Sequence, residues 1–404
     1  LKRPQLAAIV IVVVVALVAI GAAGATGLLA GSPHASPDPI AGSSATPSAG
    51  ATASGTSETP LPSDDASTTP TAAPTATPAP TPVLVADPLT GRLVTQAVAN
   101  RHPIAVMIDD LGPARPQSGL SSASIVWQAP AEGGIPRYMA IFHDTIPKAV
   151  GPVRSSRYYY IAWAAEWRAA YAHAGGSPQA LQTLQASGRG QLVYNLDEFR
   201  YSGTFFRIST RLAPHNLYTT GAKLRSAAKN IGAVDKAYKA VWTFAPDAPL
   251  ADRPYGGTIT VGYPANTIKY TYDRTTNTYL RSVTGEKKQT DAANGTRIAP
   301  TNVIVMRMSF GPLNDGHPAK HRLEATVVGH GVAWISTNGR TIKGTWKKTA
   351  LTAPTLFFDA SGKPVTLTVG QTFVQVVTTD VIGYPVSFSP GSDQPPATPT
   401  PSGG

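Results

Sequence analysis

Hydrophobic and polar positions divide this chain into stretches of very different pattern. Residues 6–29 form an apolar run rich in Val, Ile and Ala and without a charge, preceded by Lys2 and Arg3. From about Gly31 to Val85 large apolar side chains almost vanish. From Asp87 they return in a mixed pattern. Pro103–Ile108, Ser124–Trp127 and Arg137–Phe142 are short apolar runs that read as strands, the first ending at Asp109-Asp110. Tyr158–Arg168 carries apolar residues at helical spacing, and Pro178–Ser187 and Gly221–Ile231 are further helices. After about Gly232 the pattern changes to short, alternating, β-branched runs: Thr258–Tyr263, Thr267–Tyr272, Tyr279–Val283, Val303–Met308, Leu323–Val328, Val332–Ile335, Thr341–Trp346 and Thr372–Val377. Asn338-Gly339 between two of these is a two-residue hairpin signal.

This order predicts a mixed α+β or α/β protein: a layered α/β N-terminal domain over residues 87–235, then a β-rich C-terminal domain over 236–388. Residues 31–86, dominated by Ala, Thr, Ser and Pro, cannot bury enough apolar surface to offset their ordering entropy and read as a disordered tether. Residues 389–404 read as a disordered tail of the same kind. Residues 1–30 read as a transmembrane anchor or signal segment. The length of the run favours an uncleaved helix, although Ala23-Gly24-Ala25 has the small-residue spacing of a peptidase site. Lys2 and Arg3 place the N-terminus in the cytoplasm, which predicts a single-pass cell-membrane protein with its folded domains outside.

Composition adds two constraints. Cysteine is absent, which excludes disulfides, thiolate metal sites, a cysteine nucleophile and attachment through a lipidated cysteine. The net charge is +11, and it is concentrated: 32 of the 34 Lys and Arg fall in the expected folded part, against 18 of the 23 Asp and Glu. Such a surface suits anionic envelope polymers or lipid head groups. Nucleic acid is not an expected partner outside the cytoplasm.

The candidate chemistry gathers in loops of the first half. Gly151-Pro152-Val153-Arg154-Ser155-Ser156-Arg157 puts two arginines beside a turn, and His173-Ala174-Gly175-Gly176-Ser177 leads into a helix capped by Ser177. Glycines before a helix start allow close approach of an anion to backbone amides. Arg115, Arg137, Arg154 and Arg157 are the expected guanidinium cluster, with Gln117, Ser155, Gly175, Gly176, Ser177 and Asn216 as further ligand-binding residues; arginine pairs bidentately with carboxylate or phosphate. His173 and His215 are the acid/base candidates, with Glu132 or Asp109 as partner. On one strand Asp109 and Asp110 alternate faces, so only one of them is expected at the site. His317 and His321 flank Pro318 without a third ligand motif, and no metal or cofactor is expected.

Several of these stretches together resemble the YerB-like envelope protein family, domain of unknown function 3048, which has N- and C-terminal parts. They are Asp87-Pro88-Leu89-Thr90-Gly91, Arg115–Leu120, Glu132-Gly133-Gly134-Ile135, Gly151–Arg157, His173–Ser177, Ala213–Tyr218, Gly344–Lys348 and Gly370-Gln371-Thr372. The resemblance implies an extracytoplasmic protein, commonly lipid-anchored, with no agreed activity; here the apolar N-terminal run takes the place of the lipidated cysteine. Three functions stay open on this footing. The leading expectation is an anchored module that binds an anionic envelope ligand in an Arg/His/Gly-rich pocket, its second domain bracing the site or contacting a protein partner. The others are an envelope glycan or phosphodiester hydrolase or transferase, and a protein-interaction scaffold without a small-molecule site.

Overall fold

Strands from both sides of residue 235 meet in one ten-stranded sheet. A computed structural model describes residues 83–395; the apolar run 6–29 and most of the expected tether lie outside the described residues. In chain order the principal strands are β1 (Ile104–Asp109), β2 (Ile125–Pro130), β3 (Pro136–Phe142), β4 (Ala170–His173), β5 (Tyr194–Asp197), β6 (Thr258–Tyr263), β7 (Asn266–Asp273), β8 (Thr278–Val283), β9 (Asn302–Met308), β10 (Gly329–Thr337), β11 (Arg340–Lys348), β12 (Leu356–Phe358), β13 (Thr372–Thr378) and β14 (Val386–Ser389). The main helices are α1 (Tyr158–Ala164), α2 (Pro178–Leu184) and α3 (Gly221–Asn230).

The large sheet runs β12-β11-β10-β9-β13-β2-β3-β1-β4-β5 and is mixed. β9, β13 and β2 are parallel neighbours, as are β1, β4 and β5; β3 lies antiparallel between β2 and β1. Every residue of β1, β2 and β13 is buried. Their near-continuous apolar runs therefore reflect cover on both faces. A second sheet, β8-β7-β6-β14, is antiparallel, and β7 alternates buried and exposed positions as a one-sided strand must.

Alternation along β1 divides the core. Ala105 and Met107 face one layer with Trp127 and the α1 residues Tyr159, Tyr160 and Trp163. Trp127 and Trp163 stack with centroids 4.7 Å apart, a contact worth about 0.5–1.5 kcal/mol beyond its buried area. Ile104, Val106 and Ile108 face the opposite layer, with Leu224 of α3 and Ile259, Val261 and Ile268 of the second sheet.

Several boundaries differ from the expectation. α1 stops at Ala164 because the chain tightens into a 3₁₀ turn and Arg168 takes a left-handed conformation. α2 stops at Leu184 rather than Ser187, ahead of a second 3₁₀ turn at Gly188–Gly190. The tether gives way earlier than Asp87: Leu84–Ala86 pairs with Leu93–Thr95. Ser389 to Pro395, expected as tail, is also held, by the end of β14 against β6, a bridge from Ser392 to Tyr255 and the Arg340–Asp393 ion pair. Segments this short are held by edge pairing, and three or four residues are too few to set up a readable pattern. The Asn338-Gly339 hairpin is present between β10 and β11, with φ of 48° and 73° at its two central residues. Both positive values match the turn that suits strand twist.

Candidate functional site

β1 and β4 run together only from Ile104↔Ala170 to Val106↔Ala172. Beyond that point they part, and the segment after Gly151 enters the gap. Arg154 N–H donates to the Met107 carbonyl at 2.9 Å, while the Arg154 carbonyl accepts from Ala174 N–H at 3.0 Å. Asp109 N–H reaches the Pro152 carbonyl, and Ser156 N–H reaches that of Gly175. A crevice at the carboxyl ends of strands is where layered sheets place ligands. Gly151 makes the entry feasible: its φ is +156°, and a Cβ there would meet the Tyr218 ring at 2.7 Å.

Asp109, at the end of β1, is the first centre of the polar group gathered here. Its Oδ2 lies 2.7 Å from His215 Nδ1 and 2.9 Å from Arg154 Nε, and its Oδ1 accepts from Leu111 N–H. His215 Nε2 has no hydrogen-bond partner among the described residues. Across the β1–β3 pair Asp109 stands opposite Arg137. Arg137 Nη1 donates to the Ser155 carbonyl at 2.8 Å, and its Nη2 is 3.5 Å from Glu132 Oε2.

Glu132 is the second centre. Its Oε1 accepts from Arg157 Nε at 2.6 Å and is 4.0 Å from Arg322 Nε; Arg322 also pairs with Asp315 at 2.5 Å. Burial acts to raise the Glu132 carboxyl, but the Arg157 and Arg137 guanidiniums outweigh it and hold the group below its ordinary value. Burial lowers Arg154 and Arg157 against the pull of Asp109 and Glu132. Arg154 also feels Arg137 and Glu132, so the two centres form one electrostatic group.

The other expected residues are placed elsewhere. Arg115 turns to the opposite side of β1 and grips Asp110 through Nε and Nη2 at 3.2 and 3.1 Å. Gln117 is buried beside it, its Nε2 on the Asp109 carbonyl. Asn216 accepts from Arg207 through Oδ1 at 3.0 Å. His173 is sealed, with Nδ1 2.8 Å from the Gly175 carbonyl and Nε2 2.8 Å from Asn195 Oδ1. Two of the three amides expected to cap an anion, those of Gly175 and Ser177, are already engaged. Gly175 N–H donates to Asp197 Oδ1, Ser177 N–H to the Ser156 carbonyl and Ala180 N–H to Ser177 Oγ. Asp197, two positions past Asn195 at the end of β5, takes the place an external anion would need.

A second polar network is absent from the sequence reading. Asp110 is buried against Arg115, Gln128 Nε2 at 2.6 Å and Asn266 Nδ2 at 3.2 Å. Arg281, fully buried, donates to Gln128 Oε1 and Tyr270 Oη and pairs with Gln289. Its guanidinium also lies over the Tyr138 and Tyr270 rings. A single Gln in the apolar run of β2 and a single Asn at the start of β7 carry no signal of the partners they meet inside, and Arg322 sits in a polar loop without motif.

Comparison with known proteins gives three findings. Family models described as "Protein of unknown function (DUF3048) N-terminal domain" and "Protein of unknown function (DUF3048) C-terminal domain" match residues 89–234 and 259–374. "Putative lipoprotein YerB" of Bacillus subtilis (strain 168) is 33% identical over 271 residues, spanning 65% of this chain and 77% of the relative. The crystal structure of YerB protein from Bacillus subtilis aligns with a TM-score of 0.65 at 28% identity, covering 74% of this chain and 98% of that one.

Proposed function

The chain belongs to the DUF3048 family, and from that premise we propose that it is a membrane-tethered, extracytoplasmic envelope protein that binds an anionic ligand at the β1–β4 crevice. Residues 87–235 form the layered, ligand-bearing part in this reading, and residues 236–388 brace it. Support for the location comes from the relative named a lipoprotein and from the apolar N-terminal run of this chain. Support for the ligand comes from one observation: two carboxylates, Asp109 and Glu132, are shared by Arg137, Arg154, Arg157 and His215. Cations in excess at a partly buried site attract an anion of carboxylate or phosphate type, and guanidinium forks suit both. Among the described residues no helix is long and apolar enough to cross a membrane.

The test is thermal stability of the full chain titrated with inorganic phosphate, phosphorylated glycans and wall fragments. A binding anion raises the melting temperature by mass action, and Arg154→Ala removes most of that rise. A wild-type protein that no anion stabilises overturns the reading.

The Asp109–His215 contact favours a second reading, in which the ligand is a substrate. A carboxylate on Nδ1 orients the imidazole and leaves Nε2 to take a proton from water attacking an ester or phosphodiester. Under that reading His215→Gln abolishes turnover while leaving the anion-induced stabilisation in place.

A further inference from the structure

Most aromatic side chains of this fold are core, and one tryptophan toward the far end of the sheet is less fully covered. Five of the six tryptophans are buried; Trp334, on β10, is only partly so. It lines a cavity of about 460 Å³ between the β10–β11 hairpin and the second sheet, with Phe388, Tyr272 and Tyr279 as the other aromatic walls. Phe388 is 5.4 Å from Trp334, centroid to centroid, and the two tyrosines are 5.2 Å apart. Thr258, Thr341 and Ser389 bring hydroxyls to the same space. The Trp334 indole N–H has no hydrogen-bond partner among the described residues.

Two cations stand at this cavity. Lys343 is directly opposite Trp334 in the β10–β11 register, so ammonium and indole share one face of the sheet. Lys343 is exposed and has no ion-pair partner among the described residues. Arg340 is beside it, tied at 2.7 Å to the exposed Asp393. In the large sheet β10 is five strands from β1, about 24 Å at the usual strand spacing, so this cavity is separate from the Asp109 crevice.

We infer that this cavity is a binding site for an acidic sugar: a pyranose whose C–H edges pack on the aromatic walls, with its carboxylate or phosphate at Lys343. Aromatic walls alone suit many ligands. Hydroxyl side chains and a free indole donor match the hydroxyls of a sugar, and the lysine selects one that carries negative charge. The volume suits one to two rings, within the range of small-molecule sites.

Trp334 provides the readout, because it is the tryptophan that quenchers reach most readily. The full chain is titrated with tetragalacturonic acid, galactose 1-phosphate, neutral cellotetraose and a hexaproline peptide, following acrylamide quenching and heat of binding. The acidic probes protect Trp334 from quenching and bind at least about tenfold more tightly than cellotetraose. Lys343→Glu, a surface change, abolishes that preference, and Trp334→Leu removes binding. Arg154→Ala leaves both unchanged, so failure here is distinguishable from failure at the crevice. Whichever acidic probe binds more tightly identifies carboxylate or phosphate as the favoured group. Equal binding of the neutral sugar, protection by hexaproline instead, no binding of either acidic probe, or no effect of Lys343→Glu each overturns the inference.

Discussion

Asp109 and Asp110 are adjacent, yet their side chains enter different layers. Pleating sends Asp109 toward Arg154 and His215 and Asp110 toward Arg115 and Gln128. That only one would face a crevice could be read from strand periodicity. Its partners could not, because His215 lies 106 positions away in sequence and nothing local in a Pro-His-Asn turn points to β1. His173 shows the reverse: a prominent residue in sequence whose two ring nitrogens are both used inside the fold. Glu132 gives a prediction in pH. Burial raises it but Arg157 and Arg137 lower it more, so its folded value lies below its unfolded one. Its stabilising contribution is then present above the unfolded value, about pH 4.3, and is lost as pH falls through the lower folded value. Urea midpoints of Glu132→Gln and wild type should differ most near neutrality and converge toward acid; a gap that widens on acidification contradicts this.

At the scale of elements, strands with one exposed face were the easiest to read. β7 alternates along its length and was legible to within a residue at each end. β5 was missed: Tyr194–Asp197 is a four-residue edge strand, half-buried and polar, and its place is set by pairing with β4. The β10–β11 turn was legible because its chemistry is local. Gly339 has a φ of +73°, and a Cβ there would run into the Tyr272 ring and meet Pro254 Cγ at 2.7 Å. Gly339→Ala should therefore lose about 1–3 kcal/mol in chemical denaturation, combining backbone strain with the clash. An unchanged denaturation midpoint would mean that the second sheet yields at no cost.

On the scale of the whole molecule, the Asp110–Arg281 network ties the two parts of the chain matched by the separate family models. Asp110, Gln117 and Gln128 come from the first part, Asn266, Arg281 and Gln289 from the second. Three of the network's hydrogen bonds cross the junction, Asn266 to Asp110, Arg281 to Gln128 and Gln289 to Gln117, and no reading of one part could reveal them. Arg281→Met should cost about 2–4 kcal/mol, since it leaves buried acceptors unpaired. The loss should appear in a single unfolding transition, followed by both circular dichroism and tryptophan fluorescence. Two separated transitions, with only one of them shifted, would show that the network does not couple the parts.

The position of β13 also bears on how the protein is made. Thr372–Thr378 lies between β9 and β2, and Thr372 sits opposite Ile125. At about 5–20 residues per second, the ribosome finishes the earlier strand roughly 12–50 s before the later one. Throughout that interval the backbone of Ile125–Gln128 has one bare side, open to any extended chain nearby. Export in an extended state, or a chaperone that occupies this edge until synthesis reaches Thr378, would protect the nascent protein from pairing with its own copies.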